Sequence, residues 1–450
     1  KAAVGSTTDL RRDLFSHIGK LSFSQLDSFG APTLLTRLTG DINQIQTGIN
    51  LTLRLVLRSP FVVFGAVIMA FTVDVKSALV FVVTVPLLAA VVFAVMLVCI
   101  PLYKKVQKKL DALLGITREN LTGTRVVRAF CKEDEEINDF GKKNRALTDM
   151  QVAVGRISAV MNPATLVLIN IAVAVLIYTG ALRVDSGSIS RGDVVALYNY
   201  MSQILVELVK FASLIVTITK GFASCTRISS VLDVDNTLQF VDDKTVYDNH
   251  IVAFDNVSLK YNQSDEESLT DISFYADRGE VVGIIGSTGS GKSSLVDLIP
   301  HYYDCVKGRV TVFGKDVKSY DKTELRSKIG FVMQKAVLFS GTVRDNIRWG
   351  KVDATDEEIN EALKIAQIYD NIYEKNGLDT VIEQNGANLS GGQKQRLSIA
   401  RAIVSKPEII VLDDSASALD FATEKALREA ILSLDYKPTL FIVSQRTSSI

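Results

Sequence analysis

The chain has 450 residues, enough for two or more domains with sizeable cores. Lys+Arg and Asp+Glu both count 50, so the formal net charge is zero, and no global basic excess marks nucleic acid as the partner. The hydrophobic share is 47%, gathered in long uncharged runs in the first half, while the second half reads as an ordinary α/β domain. Cys99, Cys131, Cys225 and Cys305 lie far apart, with no CxxC pair and no metal-ligand spacing, as expected of reduced, unpaired thiols. Lys1 to Gln25 is amphipathic and charged, without the apolar stretch of a signal peptide.

Residues 77–103 and 157–182 carry no charge, and each exceeds the ~20 helical residues that cross a bilayer core. Residues 55–73 contain only Arg58, and residues 194–219 contain Glu207 and Lys210, so both are weaker candidates. Four spans follow, with short polar links at 74–76 and 183–193. Between the two pairs, residues 104–156 hold 12 Lys/Arg against 8 Asp/Glu and open with Lys104, Lys105, Lys108 and Lys109. The positive-inside bias puts this loop, the N-terminus and everything after residue 220 in the cytoplasm. No proline lies between Pro101 and Pro163, so the membrane helices are expected to run on into the cytoplasm. Residues 31–46 and 120–130 are expected at the tips of the two cytoplasmic hairpins. Glu207 and Lys210 either line a cavity or pair at i, i+3 on one helix face.

The helical pattern is expected to end near Gly221 to Arg227, with 221–249 as linker. From residue 250, short β-runs alternate with helices to the end, an α/β pattern. Residues 279–285 (GEVVGII) read as a strand. They run into Gly286, Ser287, Thr288, Gly289, Ser290, Gly291, Lys292, Ser293 and Ser294, followed by a helical pattern. This is GxxxxGK[ST] in its strand–loop–helix context. Glycines let backbone N–H groups converge on phosphate oxygens, Lys292 is expected on the β- and γ-phosphates, and Ser293 on Mg²⁺. ATP and Mg²⁺ are therefore the expected ligands. Residues 408–412 (EIIVL) form an apolar strand that ends in Asp413 and Asp414. Asp413 is expected as the second Mg²⁺ anchor, at the end of a strand beside the P-loop strand.

Leu389-Ser390-Gly391-Gly392-Gln393, just before a helical run, resembles the signature of ABC ATPases. The resemblance to the exporter branch of the ABC transporter family extends over about 200 residues of the second half. It implies that Tyr261 stacks on adenine and that Gln334 touches Mg²⁺ and contacts the membrane domain. It also implies that Glu383 lies near the coupling loops and that Ser417 to Asp420 crosses to a partner. Ser390, Gly391, Gly392 and Gln393 would face the P-loop of a second ABC domain. The first half resembles the matching transmembrane domain, through LRRDLFSHI…TRLTGDINQIQ and RENLTGTRVVRAFCKEDEE. The implied fold is an all-α polytopic membrane domain (1–220) with long cytoplasmic helix extensions, then an α/β P-loop ABC ATPase domain (250–450). A family half-transporter has six spans, so the first two are expected to be missing and the ATPase domain to be C-terminally truncated.

Two positions depart from the hydrolytic pattern. After the Mg²⁺-binding Asp the family carries Glu; here stands Asp414, one methylene shorter. Where the family carries a switch His, this chain has Gln445, which hydrogen-bonds but cannot carry the imidazolium charge. An intact signature beside a weakened base resembles the degenerate subunit of a bacterial heterodimeric multidrug exporter in the plasma membrane. Its partners would be a second half-transporter, the lipid bilayer and a small hydrophobic or amphipathic substrate. An ATP-gated channel, a regulatory ABC subunit, or a lipid or peptide translocator would use the same fold.

Overall fold

Long apolar runs become long helices, and the α/β pattern becomes a set of sheets. The computed structural model describes residues 1–450 except 57, 236, 237, 239, 242, 244, 262–265, 416, 417 and 446–450, and leaves out the side chains of 205, 208, 209 and 211–216. The chain divides into two compact units, one of residues 1–17 and 32–234, the other of residues 18–31 and 235–450.

The first part of the chain is helical: α1 (Ala2–Ile18), α2 (Phe23–Phe29), α3 (Ala31–Thr36), α4 (Ile42–Leu51), α5 (Arg58–Val73), α6 (Val75–Ala129), α7 (Glu133–Ala159), α8 (Met161–Asp185) and α9 (Arg191–Leu232). Among the described residues, three helical stretches are long and apolar enough to span a membrane: Ala31–Val73, Val75–Ala129 and Glu133–Asp185. The fourth expected span lies in α9, part of whose side chains fall outside the described residues. Helix α6 has 55 residues, roughly 80 Å at 1.5 Å per residue, so it continues far past its apolar stretch. Its N-cap, Asp74, accepts from the Ser77 amide (2.9 Å), the Ser77 hydroxyl (2.8 Å) and Arg183 Nη2 (2.9 Å), which ties the α5–α6 corner to α8.

The membrane core gathers Val63, Ala66 and Ala70 of α5, Phe81 and Leu88 of α6, Ile169 and Leu176 of α8, and Leu197, Met201 and Ile204 of α9. Small residues also let α4 and α9 approach closely: a Cβ on Gly221 would lie 3.6 Å from the Gly48 Cα. Near that crossing Asp41 accepts from Ser224 Oγ (2.9 Å) and Arg227 Nε (3.0 Å). Further along, buried Glu207 accepts from Ser59 Oγ of α5 (2.7 Å) and Lys210 Nζ (3.2 Å), with Arg58 Nη2 at 3.8 Å. The i, i+3 pair thus forms, and it extends across two helices.

Three expectations shift. The first hairpin turns at α2, within 18–31, and residues 31–46 already belong to the next long helical stretch. Ser22 caps α2 with a capping box closed by Gln25, and Gly30 ends it at φ 72°, so the turn is set by residues before position 31. At the second hairpin, residues 120–129 are the end of α6 itself, and the reversal occupies residues 130–132. Nor does the helix stop at 221–227. It runs to Leu232, because Gly221 serves the α4 contact and remains in helical geometry.

In the second unit, β1 (Val252–Leu259), β2 (Leu269–Ala276), β4 (Lys307–Val312) and β5 (Lys315–Asp316) form an antiparallel sheet in the order β2-β1-β4-β5. Strands β3 (Val281–Ile285), β6 (Ile329–Val332), β9 (Ile409–Asp413) and β10 (Thr439–Ser444) form a parallel sheet in the order β3-β10-β9-β6. Helices α10 (Lys292–Val296), α11 (Lys322–Ser327), α15 (Gly391–Ile403) and α16 (Phe421–Leu432) accompany this sheet in sequence. A helical insertion of α12 (Val343–Arg348), α13 (Asp356–Ile365) and α14 (Tyr369–Tyr373) carries the small β7–β8 pair (Gly341–Thr342, Val381–Ile382). Strands β9 and β10 are buried along their length, as a parallel sheet covered on both faces requires.

Candidate functional site

In a parallel α/β sheet, ligands bind beyond the carboxyl ends of the strands. Registry brings three ends level: Ile285 of β3 pairs with Ser444 of β10, and Val443 pairs with Asp413 of β9. The loops that leave these ends therefore share one edge. They carry the P-loop, Asp414 and Gln445.

Gly289 (φ 82°) and Gly291 (φ 86°) take left-handed conformations. A Cβ on Gly291 would also come within 2.8 Å of the Ser268 carbonyl oxygen, so the tight turn into α10 needs glycine twice over. Lys292 Nζ reaches back to the Gly286 (2.9 Å) and Ser287 (2.7 Å) carbonyls. Ser293 Oγ donates to Asp413 Oδ1 at 3.0 Å. Strand β10 lies between β3 and β9, so the expectation that the Asp413 strand adjoins the P-loop strand is corrected. The first turn of α10 carries Ser293 across that strand. The interposed strand also delivers Gln445 between the two.

A cavity of about 420 Å³ opens here, lined by Thr288 through Ser294, Gln334, Asp413, Asp414, Gln445 and, unforeseen from sequence, Glu266, Glu267 and Ser268. Asp414, at φ 44°, accepts on Oδ2 from Gln334 Nε2 (3.0 Å) and Gln445 Nε2 (3.3 Å). The Thr288 hydroxyl donates to Gln445 Oε1 at 3.1 Å.

Burial raises the Asp413 carboxyl above its ordinary value despite the Ser293 hydrogen bond, and the neighbouring Asp414 charge adds to this. A hydroxyl and a buried carboxylate within 3.0 Å suit a hard, oxygen-seeking cation. Among the described residues no group of three or more His, Cys, Asp and Glu gathers as a metal site. Mg²⁺ takes one or two protein oxygens and leaves the rest to phosphate and water. Bound there, Mg²⁺ would neutralise phosphate charge, with Ser293 and Asp413 as its protein ligands. Behind α10, Asp297 is pushed up to about 7, chiefly by burial and then by the charges of Asp413 and Asp27. Sequence gave no hint of it.

Tyr261 lies at the rim of the same domain. Its hydroxyl donates to Ser294 Oγ (2.9 Å), and its ring meets Tyr303 edge to face, centroids 5.1 Å apart. The other expected residues stand apart from the cavity. Ser390 caps α15, accepting from the Gln393 amide (3.3 Å) while Gln393 Oε1 accepts from the Ser390 amide (3.0 Å). Ser390 and Gly391 are exposed and Gly392 is half-buried. Asp420 caps α16 through the Thr423 amide (2.9 Å). Ser417 falls outside the described residues.

The profile described as "ABC transporter transmembrane region" matches residues 1–208, and that described as "ABC transporter" matches residues 269–417. The chain is 38% identical to the ABC transporter ATP-binding protein YfiB of Bacillus subtilis, over 98% of this chain and 77% of that one. It is 31% identical to an ATP-dependent lipid A-core flippase of Desulfotalea psychrophila, over 98% and 77%, and 32% identical to the putative multidrug export protein YgaD of Bacillus subtilis, over 98% and 77%. Its fold is similar to that of a bacterial Atm1-family ABC exporter with ATP bound, with a TM-score of 0.79 and 25% identity, over 100% of this chain and 79% of that one. The chain therefore belongs to the ABC transporter family, as an exporter-type half-transporter that joins membrane helices and a cytoplasmic ATPase domain in one polypeptide.

Proposed function

We propose that this chain is one subunit of a heterodimeric exporter, and that the site on its own P-loop binds ATP firmly but hydrolyses it slowly. Tyr261 stacks on adenine, Lys292 and the amides of 286–294 hold the phosphates, and Ser293, Asp413 and Gln334 attend Mg²⁺. Ser390, Gly391, Gly392 and Gln393 complete the site on the partner's P-loop, with Asp420 at the crossing loop. ATP joins the two ATPase domains, the membrane helices turn outward, and hydrolysis at the partner's site resets them.

The observation that carries this reading is the Gln334–Asp414–Gln445–Thr288 chain of hydrogen bonds. Hydrolysis needs a carboxylate that orients the attacking water and a group that answers charge on the γ-phosphate. Asp414 is a methylene short, and a displacement of about 1 Å costs on the order of 100-fold in rate. Its Oδ2 already takes two amide protons, and Gln445 offers no ionisable proton in place of imidazole.

A hydrophobic or amphipathic substrate is supported by an apolar groove of about 740 Å³ among α6, the end of α7 and α8, where Leu87, Val160, Pro163, Val167 and Ile171 stand with Arg156 as the one charged lining residue among the described residues. The names of the relatives, a lipid A-core flippase and a multidrug export protein, point to the same class.

The test follows nucleotide fate at this site in the assembled exporter. Photo-crosslinking with 8-azido-ATP labelled at the γ-phosphate should leave label on this chain after many transport cycles. Loss of γ-label from this chain at the rate of transport would reject the proposal.

A further inference from the structure

Helix α2 belongs to the same compact unit as the ATPase domain. Phe23 stacks on Tyr302 with centroids 4.4 Å apart, and Asp27 Oδ2 accepts from the Tyr303 hydroxyl at 2.6 Å. That distance is typical of an O–H donor on a carboxylate, a charge-assisted bond about twice as strong as a neutral one. Tyr303 also packs edge to face on Tyr261. Tyr261 is in turn fixed by Ser294, the last residue of the P-loop run. One tyrosine thus touches both Tyr261, which hydrogen-bonds the cavity-lining Ser294, and the short helix at the tip of the first hairpin.

The geometry points to Tyr303 as a positioning residue that senses the base on Tyr261 and holds helix α2 in register through Asp27, so that base occupancy, separately from phosphate occupancy, orders the coupling segment 22–30. Deepening the proposed function, it rests on adenine stacking at Tyr261. An adenine on Tyr261 fixes that ring. A fixed Tyr261 removes one direction of freedom from Tyr303, whose only rotatable polar group is the hydroxyl bound to Asp27. Burial and the Asp27 charge both raise the Tyr303 hydroxyl above its ordinary value, so it stays a donor at physiological pH. Phosphates alone engage the loop around Lys292, including Ser294, but place nothing against the face of the Tyr261 ring.

The test is hydrogen exchange on the full chain in lipid nanodiscs, with Mg-ATP or Mg-tripolyphosphate at concentrations that protect residues 286–294 equally. Mg-ATP should slow exchange of the α2 amides about threefold or more, and tripolyphosphate should leave them at the ligand-free rate. Tyr303→Phe keeps the ring and loses the hydroxyl. At saturating ATP it should protect 286–294 as before and lose the protection of α2, with ATP affinity lowered by no more than the roughly threefold coupling that is removed. Asp27→Ala, at an exposed position, should do the same, while Asp27→Asn, which still accepts a hydrogen bond, should retain it. Full ATP protection of α2 in Tyr303→Phe and Asp27→Ala would overturn the relay, as would equal protection by tripolyphosphate. If Mg-ATP protects neither 286–294 nor α2, the nucleotide-binding reading itself fails, and the relay with it.

Discussion

Ser293 donates its hydroxyl proton to Asp413 at 3.0 Å across an intervening strand. The pair joins the end of the P-loop to the end of β9 and, in the proposed function, holds Mg²⁺. Asp413 is 6% exposed, and its burial raises its carboxyl above the ordinary value. Asp413→Asn should therefore raise the thermal midpoint in EDTA, because a buried charge is removed. The same variant should lose the further rise that Mg-ATP gives the wild type. Differential scanning fluorimetry under the two conditions reads both effects.

The raised Asp297 carboxyl should make the stability of the ATPase unit depend on pH. Its folded value of about 7 lies above the ordinary 3.8. Below pH 4 the group is protonated in both states and contributes nothing. Between pH 4 and 7 the folded state binds the extra proton, so stability falls as pH rises, and the penalty is complete above pH 7. Asp297→Asn should flatten this slope. Thermal midpoints from below pH 4 to pH 8 in EDTA should differ least between variant and wild type at the acid end, with the variant higher at pH 8.

The glycine pair at the α4–α9 crossing should tolerate a methyl group but not a large side chain. A Cβ on Gly221 would meet Gly48 Cα and the Gln44 carbonyl at 3.6 Å, ordinary contact distances. Gly221→Ala should keep stability within about 1 kcal/mol. Gly221→Leu adds atoms that must part the two helices, a cost of about 1–3 kcal/mol. Thermal unfolding of the detergent-solubilised chain separates the two.

Much of the site was legible because its chemistry is packed into short stretches. The P-loop and the Asp413 strand each announce themselves within a dozen residues, whereas Ser390 to Gln393, equally plain in the sequence, stand apart from the cavity. Strand order was not legible, because which strand inserts between β3 and β9 is decided by crossovers across more than 100 residues. The tip of the first hairpin was missed although its sign was present. Ser22 followed by Gln25 is a capping box, and Gly30 is its stop. The Asp27–Tyr303 bond joins residues 276 positions apart, and no local pattern carries such a pairing.

Glu207 was open between cavity lining and a helix-face pair. It is 3% exposed and held by Ser59, Lys210 and Arg58. Glu207→Gln leaves two cations without their carboxylate, so it should lower the thermal midpoint of the membrane unit by several degrees. Transport of cationic substrates, measured as vesicle uptake per folded molecule, should be unchanged.

The most direct measurement concerns Asp414 and Gln445 together. In the assembled exporter, with the P-loop lysine of the partner replaced so that only this chain's site can turn over, Asp414→Glu with Gln445→His should raise kcat for ATP by on the order of 100-fold. Affinity for ATP should stay the same, since the P-loop is untouched. If the wild-type site already hydrolyses ATP as fast as the doubly substituted one, the account of a firmly binding, slowly hydrolysing site is contradicted.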